Sequence, residues 1–271
     1  MTDKQIKTGI FGANGRMGRA LIEAHSQVEN VQIAAALVRA ASPFKEVDIG
    51  ELAGIGKLGV NTQVDYHQLH QQVDVMIDFT LPEVLPAHLE LCKTQNLPLV
   101  IGTTGLNSEQ KQLIQTAAQH IPIVFAANMS IGVNLLFNLV RQTARVMGKT
   151  ADIEIWEAHH RFKKDAPSGT AVAIGEVIAD ELGRDLQKCA VYGREGDTGE
   201  RDPNTIGFAT IRAGDIVGEH TAMFAELGER IEITHKASSR LTFAQGAVRA
   251  AEWLVNQPVG LYDMQDVLSL K

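Results

Sequence analysis

Cysteine is scarce in this 271-residue chain: Cys92 and Cys189 are the only two, far apart and without metal-ligand spacing. A disulfide-dense scaffold and a thiolate metal centre are thereby excluded, and two lone thiols suit a reducing cytoplasm. Positive charge is also in deficit, with 25 Lys and Arg against 32 Asp and Glu and a formal net charge of −7. Nucleic acid is therefore excluded as a general partner, and any anion must be met by a local cluster. No apolar run is long enough to span a bilayer, so no membrane association is expected. The opening MTDKQIKTGIFGANG lacks a basic-then-apolar signal, and the expectation is a soluble, cytoplasmic protein. Internal repeats and low-complexity tracts are absent too.

The chain does contain a strand–helix alternation over its first 130 residues. Residues 6–12 read as a strand ending in glycine, and 16–26 as a helix with Met17, Leu21 and Ala24 on one face. A nearly continuous apolar strand follows at 31–38, of the kind buried on both faces. Further strands are expected within 73–80, 97–105 and 121–130, with helices near 83–95 and 107–119; residues 40–60 read as loop. Strand, helix, strand in repetition implies a doubly wound parallel sheet.

The pattern changes after about residue 130. A long amphipathic helix at 133–148 precedes a strand at 151–160 and a second helix at 169–183. Strand-like segments then cluster from 204 to 237 without intervening helices, which predicts an antiparallel or mixed sheet and an α+β second domain. The tail, 240–271, reads as helix again and is expected to pack back on the first domain.

Two segments carry chemistry. GANGRMG (12–18) stands where the first strand meets the first helix, and its glycines allow a tight turn and close approach of a pyrophosphate to a helix N-terminus. The strict G-x-G-x-x-G register is not met, because Asn14 and Met17 occupy its second and third glycine places. About twenty residues on, where an acid would grip the ribose of NAD, stand Val38 and Arg39. Arg39 suits a 2′-phosphate, and equally suits a solvated strand end. Small or hydroxyl residues also finish IDFT (77–80), IGTTG (101–105) and FAANMS (125–130), consistent with a cofactor lying across these ends or with ordinary turns.

The second segment is EAHHRFKKDAPSGTA (157–171). It gathers two adjacent histidines, three further cations and a Pro-Ser-Gly-Thr helix start in an acidic chain. Histidine suits proton transfer near neutrality, Lys163 follows His159 by four residues, and a helix start favours a carboxylate or phosphate. A metal is not expected, because adjacent histidines lack ligand spacing.

These residues resemble the 4-hydroxy-tetrahydrodipicolinate reductase (dihydrodipicolinate reductase) family, whose signature E-x-H-H-x-x-K-x-D-x-P-S-G-T-A matches 157–171. The resemblance continues through GANGRMG, IDFT, IGTTG, FAANMS, GFATIRAGDIVGEH and ITHKASSR, and so covers nearly the whole chain. It implies a Rossmann-like dinucleotide-binding domain from 1–130 plus 240–271. It also implies a substrate-binding domain, 131–239, whose sheet joins four subunits into a homotetramer. Cofactor contacts are implied for Gly12, Ala13, Asn14, Gly15, Arg16, Met17, Arg39, Gly102, Thr103, Thr104, Ala126, Ala127, Asn128 and Met129. Met129 stands where some members have Phe. NADPH is implied as the preferred cofactor, with NADH possible in principle but disfavoured by Val38, where dual-specificity members often carry an acid. His159 matches the proton donor, Lys163 its catalytic partner, and His160, Gly169 and Thr170 match contacts to a small dicarboxylate substrate. Closure of one domain on the other would bring nicotinamide to substrate.

The implied reaction is hydride transfer from NAD(P)H, with a proton supplied by His159, in lysine and diaminopimelate biosynthesis. Two alternatives stand beside it. Another two-domain amino-acid-type dehydrogenase would share the glycine loop with a different acid/base set. A non-catalytic NADPH-sensing protein would bind cofactor without turnover.

Overall fold

The computed structural model describes residues 5–271, and the chain divides into two compact units: 1–131 with 240–271, and 132–239. The first four residues of the opening stretch, read above as carrying no signal, lie outside the described residues. Among the described residues no helix is long and apolar enough to cross a membrane.

The first unit is built on strands β1 (Ile6–Phe11), β2 (Val31–Leu37), β3 (Thr62–Gln63), β4 (Val75–Asp78), β5 (Leu99–Ile101), β6 (Pro122–Phe125) and β12 (Gly260–Tyr262). Their order is β12-β6-β5-β4-β1-β2-β3, and every pairing is parallel. The winding reverses between β1 and β4, which places a topological switch point beside the end of β1. Parallel strands are covered on both faces, which is why β4 and β5 are buried at every residue.

Helices α1 (Arg16–His25), α3 (Leu85–Thr94), α4 (Ser108–Ala117) and α8 (Leu241–Leu254) cover the sheet. Helix α1 buries Gly18, Leu21, Ile22 and His25, a stripe at helical spacing. Helix α4 opens on a capping box, in which the Asn107 side chain accepts from the Gln110 amide and Gln110 returns the bond. Helix α8 presents Ala244, Ala247, Val248 and Ala251 to the core, and it approaches so closely that a Cβ on Gly246 would lie 1.8 Å from the Met129 carbonyl oxygen.

Two sequence expectations need correction here. The segment 40–60 is not all loop: α2 (Ile49–Ala53) forms within it, capped by Asp48, whose carboxylate accepts from the amides of Gly50, Glu51, Leu58 and Gly59. The tail is not helix throughout, because β12 and the short α9 (Met264–Val267) follow α8.

The second unit opens with α5 (Ile131–Met147) and continues through β7 (Asp152–His159), α6 (Gly169–Glu181), α7 (Leu186–Cys189), β8 (Ala190–Tyr192), β9 (Ile206–Arg212), β10 (Gly218–Glu226) and β11 (Glu229–Ala237). The sheet order is β11-β10-β7-β9-β8; β10 is antiparallel to both β11 and β7, while β7, β9 and β8 run parallel. Side chains on a strand alternate between faces, so Ile153, Ile155, Glu157 and His159 share one face of β7. The two isoleucines pack there with Phe208, Phe224 and residues of α5 and α6. The two polar residues continue the row beyond that core.

Candidate active site

In the first unit, the residues expected at a cofactor lie just past the carboxyl ends of adjacent parallel strands. Gly12 follows β1 with φ of +68°, a backbone state suited to glycine. The buried Ala13 donates its amide to the Leu37 carbonyl (3.0 Å), which ties the loop to the end of β2. Gly15 caps α1, and Asn14, Arg16 and Met17 flank it with at least partial exposure. A Cβ on Gly18 would sit 2.5 Å from the carbonyl oxygens of both Gly12 and Ala13, so only glycine allows this tight entry into the helix.

The neighbouring strand ends interlock with that loop. Asp78 closes β4 and is fully buried; its carboxylate accepts from the amide (2.7 Å) and hydroxyl (2.5 Å) of Thr80 and pairs with His88 Nδ1 (2.7 Å). Thr80 packs against Gly12, and the ring of Phe79 fills the space beside Gly102. Gly102 and Thr103 are buried while Thr104 is exposed. Ala126 and Asn128 are half-buried and Ala127 exposed, whereas Met129 is buried in the core of the unit. Arg39 follows β2 and is exposed.

A dinucleotide fits these residues on two observations. Helix α1 begins with no side-chain cap and no acidic residue in its first turn, which leaves its amides to an anion. The hydroxyl of Thr103 is buried with no hydrogen-bond partner in the protein, which suits a polar group arriving from outside.

In the second unit, His159 is buried at the end of β7, and its Nδ1 lies 2.6 Å from Glu157 Oε2. Glu157 is only 1% exposed and collects four further donors. Arg212 Nη1 and Nη2 each reach it at 2.7 Å, the Ser168 amide at 3.0 Å and the Thr210 hydroxyl at 3.4 Å. Sheet register explains the convergence: Thr210 and His220 sit opposite Glu157 on β9 and β10, and Arg212 sits opposite His159. His220 meets the ring of His159 edge-on at 5.1 Å between centroids and shares a 2.9 Å hydrogen bond with the Ser168 hydroxyl.

Burial raises the Glu157 pKa, but bonds from Arg212, His159 and Ser168 outweigh it and hold the carboxyl below its ordinary range. Burial lowers the His159 pKa; the bond and charge of Glu157 oppose this, Lys163 and Arg212 reinforce it, and the imidazole ends below its ordinary value.

The segment after β7 brings Lys163 to Asp165 (3.0 Å) and leads into Ser168, whose hydroxyl caps α6 at the Ala171 amide (3.2 Å). Gly169 is the exposed first residue of α6 and Thr170 follows half-buried. Helix geometry gives first-turn amides no intrahelical acceptor. His160 keeps a buried Nδ1 without a hydrogen-bond partner. The unit thus gathers His159, His160, Lys163, Gly169 and Thr170 along one connection, β7 to α6. Sequence reasoning assigned no role to Glu157, Ser168, Arg212 or His220. The two-residue spacing of Glu157 and His159 within a predicted strand was the available signal, since it puts both on one face.

Comparison with known proteins matches the sequence on both sides of the boundary between the units. Residues 6–129 match the family described as dihydrodipicolinate reductase, N-terminus, and residues 132–268 the C-terminus of the same family. A 4-hydroxy-tetrahydrodipicolinate reductase from Pseudoalteromonas atlantica is 72% identical over 264 residues, covering 97% of this chain and 99% of that protein. Its counterpart from Methylococcus capsulatus is 61% identical over 266 residues, covering 98% and 99%. Among solved structures, dipicolinate-bound dihydrodipicolinate reductase from Paenisporosarcina sp. TG-14 aligns with a TM-score of 0.76 at 24% identity, covering 97% of this chain and 98% of that one, and supports the fold. With both halves matched in order and close relatives aligned end to end, the chain belongs to the dihydrodipicolinate reductase family.

Proposed function

We propose that the protein is a 4-hydroxy-tetrahydrodipicolinate reductase of lysine and diaminopimelate biosynthesis. It reduces its small dicarboxylate substrate with a nicotinamide cofactor and takes its proton from His159. The observation that carries this reading is the buried His159, flanked by Lys163 and by the start of α6, in a chain whose relatives bear that name. When bound, the nicotinamide supplies a hydride.

The chain's own residues have separate tasks. The first-turn amides of α6 at Gly169 and Thr170, with His160 and Lys163, bind and orient the two substrate carboxylates. Bringing a dianion beside His159 raises its affinity for a proton, against the lowering that burial imposes. His159 then holds its mobile proton on Nε2, the nitrogen not engaged by Glu157, and delivers it to the ring carbon made basic by reduction. Lys163 stabilises the negative charge that develops meanwhile.

Around the cofactor, the loop from Gly12 to Met17 cradles the pyrophosphate and offers it the uncapped first-turn amides of α1, and Thr103 and Thr104 with Gly102 and Ala126 to Met129 line the nicotinamide side. The buried Ala13 and Met129 shape that wall from behind. Arg39 takes the 2′-phosphate, which favours NADPH over NADH. Arg39→Ala is expected to weaken NADPH roughly tenfold, the value of one charge-assisted contact, and to leave NADH nearly unchanged. Equal NADPH affinity in the variant, measured by fluorescence titration, would assign Arg39 to solvent.

The same reading carries a cytoplasmic homotetramer, supported by two free thiols and by the largely exposed residues of the edge strand β11. The test of the whole is NADPH absorbance after adding protein to substrate made in situ from pyruvate and aspartate semialdehyde by the preceding synthase. Rapid oxidation that depends on the synthase supports the reductase. Bound NADPH without oxidation points to a sensing protein or another dehydrogenase.

A further inference from the structure

We propose that Glu157 and Arg212 are positioning residues for the proton donor: Glu157 fixes which nitrogen of His159 carries the mobile proton and how tightly it is held, and Arg212 limits the carboxylate's pull. The inference rests on the reading of His159 as the reductase's proton donor.

The geometry assigns the tautomer. An ionised carboxylate only accepts hydrogen bonds, so the 2.6 Å contact to Glu157 Oε2 keeps a proton on His159 Nδ1. Titration is thereby confined to Nε2. That atom borders Gly218, where an added Cβ would lie 3.1 Å away; the absence of a side chain on β10 leaves the nitrogen room. A freely rotating histidine would offer either nitrogen in either orientation. Here strand register fixes the carboxylate, and the carboxylate fixes the ring.

The second function is the strength of hold. An unopposed buried carboxylate beside an imidazolium would bind the proton too firmly for release to a weak carbon base. Arg212 grips both oxygens of the same carboxylate, with Nη1 at 2.7 Å from the Oε2 that meets His159 and Nη2 at 2.7 Å from Oε1, and Nη2 also donates to the Asp165 carbonyl at 2.7 Å. Its fork shares the charge of Glu157 and places a fixed cation near His159. The other groups around the ring are His220 from β10 and Lys163 from the following loop, with Asp165 paired to Lys163 and His235 reaching His220 electrostatically. Only Glu157 among them contacts the imidazole with opposite charge. The electrostatics of the site agree: burial lowers the affinity of His159 for a proton, Glu157 raises it, and Lys163 and Arg212 lower it further.

Opposite displacements follow. Glu157→Gln removes the negative charge and frees the tautomer, so His159 loses its proton at lower pH. Arg212→Gln removes a nearby cation and leaves the carboxylate only the neutral donors of Ser168 and Thr210 beside the imidazole, so His159 keeps its proton to higher pH. Arg212→Lys restores the charge and is expected to stay near the parent.

The experiment is histidine NMR on the full-length chain labelled with 15N-histidine, with the His159 signal assigned by its absence from His159→Gln. The expected result is a neutral form protonated on Nδ1, and a titration midpoint that falls by about one pH unit or more in Glu157→Gln and rises in Arg212→Gln. The alkaline limb of the kcat/KM profile is expected to move in the same two directions. An unchanged midpoint and tautomer in folded Glu157→Gln would overturn the proposal. So would a loss of activity at fixed midpoint in every variant, which is what purely structural residues would give. If Glu157→Gln does not fold, the arginine pair decides alone: the midpoint must rise with Gln and not with Lys. The spectra require no turnover, so failure of the reductase assay and failure of this inference are separate results.

Discussion

Replacing His159 by Gln is expected to lower kcat by about two to four orders of magnitude, the usual worth of a positioned general acid, while NADPH binds nearly as before. Glutamine can still donate to Glu157 and occupies a similar volume, so the buried carboxylate keeps a partner. What disappears is the ionisable nitrogen. The residues proposed for the cofactor belong to the other unit, at its strand ends. Stopped-flow hydride transfer together with a fluorescence titration of NADPH separates the two effects. Equal losses of turnover and NADPH affinity would mean a folding role and would remove His159 as the acid. Solvent isotope effects sharpen the same point, because a proton in flight in the parent leaves a signature that the variant loses.

The second large effect concerns stability in acid. His25 lies buried in α1, with Nδ1 donating to the Leu21 carbonyl at 2.7 Å and Nε2 accepting from the Thr8 hydroxyl at 2.8 Å. Burial lowers its pKa from 6.5 to about 4 against a smaller opposing bond to Leu21. His220 is likewise lowered to about 4, by burial first and then by the positive charge of His159. Both native pKa values are depressed below the unfolded value, so the unfolded chain takes up protons more readily. The stabilisation is complete above pH 6.5 and is lost as pH falls toward 4. Each histidine contributes on the order of 3 kcal/mol across that window.

The two tryptophans allow the units to be followed separately, since Trp253 packs against the first core and Trp156 stands on β7. With Trp156→Phe in the background, urea midpoints read from Trp253 at pH 7 and pH 5 report the first unit. His25→Gln, which cannot ionise, is expected to flatten that difference. A variant with the same pH dependence as the parent would show that His25 does not carry it.

Much of this arrangement was legible in the sequence, for physical reasons that differ by element. Parallel strands covered on both faces read as largely apolar runs despite Lys7 and Gln32, so β1, β2 and β4 announced themselves, as did the stripe of α1. Short elements did not. Helix α2 has five residues, too few for a period, and it exists because Asp48 draws amides from both ends of its loop. Strand β12 has three residues and is held by pairing with β6, a contact about 140 residues distant that no local pattern encodes.

The site divided in the same way. His159, His160, Lys163, Gly169 and Thr170 are close in the chain and could be read as one cluster. Arg212 and His220 reach Glu157 only through the register of β9 and β10 on β7, which the residue pattern alone does not specify. Glu157 itself was visible but ambiguous, because a glutamate in a strand is ordinarily solvated. Its burial becomes intelligible once five donors surround it.

The interruption of the first unit by the second also sets an order of assembly at the ribosome. A nascent chain that has emerged as far as residue 239 contains every residue of the second unit. At that moment the first unit still lacks α8, which packs on α1, β4 and β5, and β12, which borders β6. The inserted unit can therefore complete its core while the surrounding one waits with a sheet face uncovered, reversing the usual N-terminal-first sequence. During that interval the apolar surface destined for Ala244, Ala247 and Val248 is open to holdase chaperones, and truncation before α8 would make the exposure permanent.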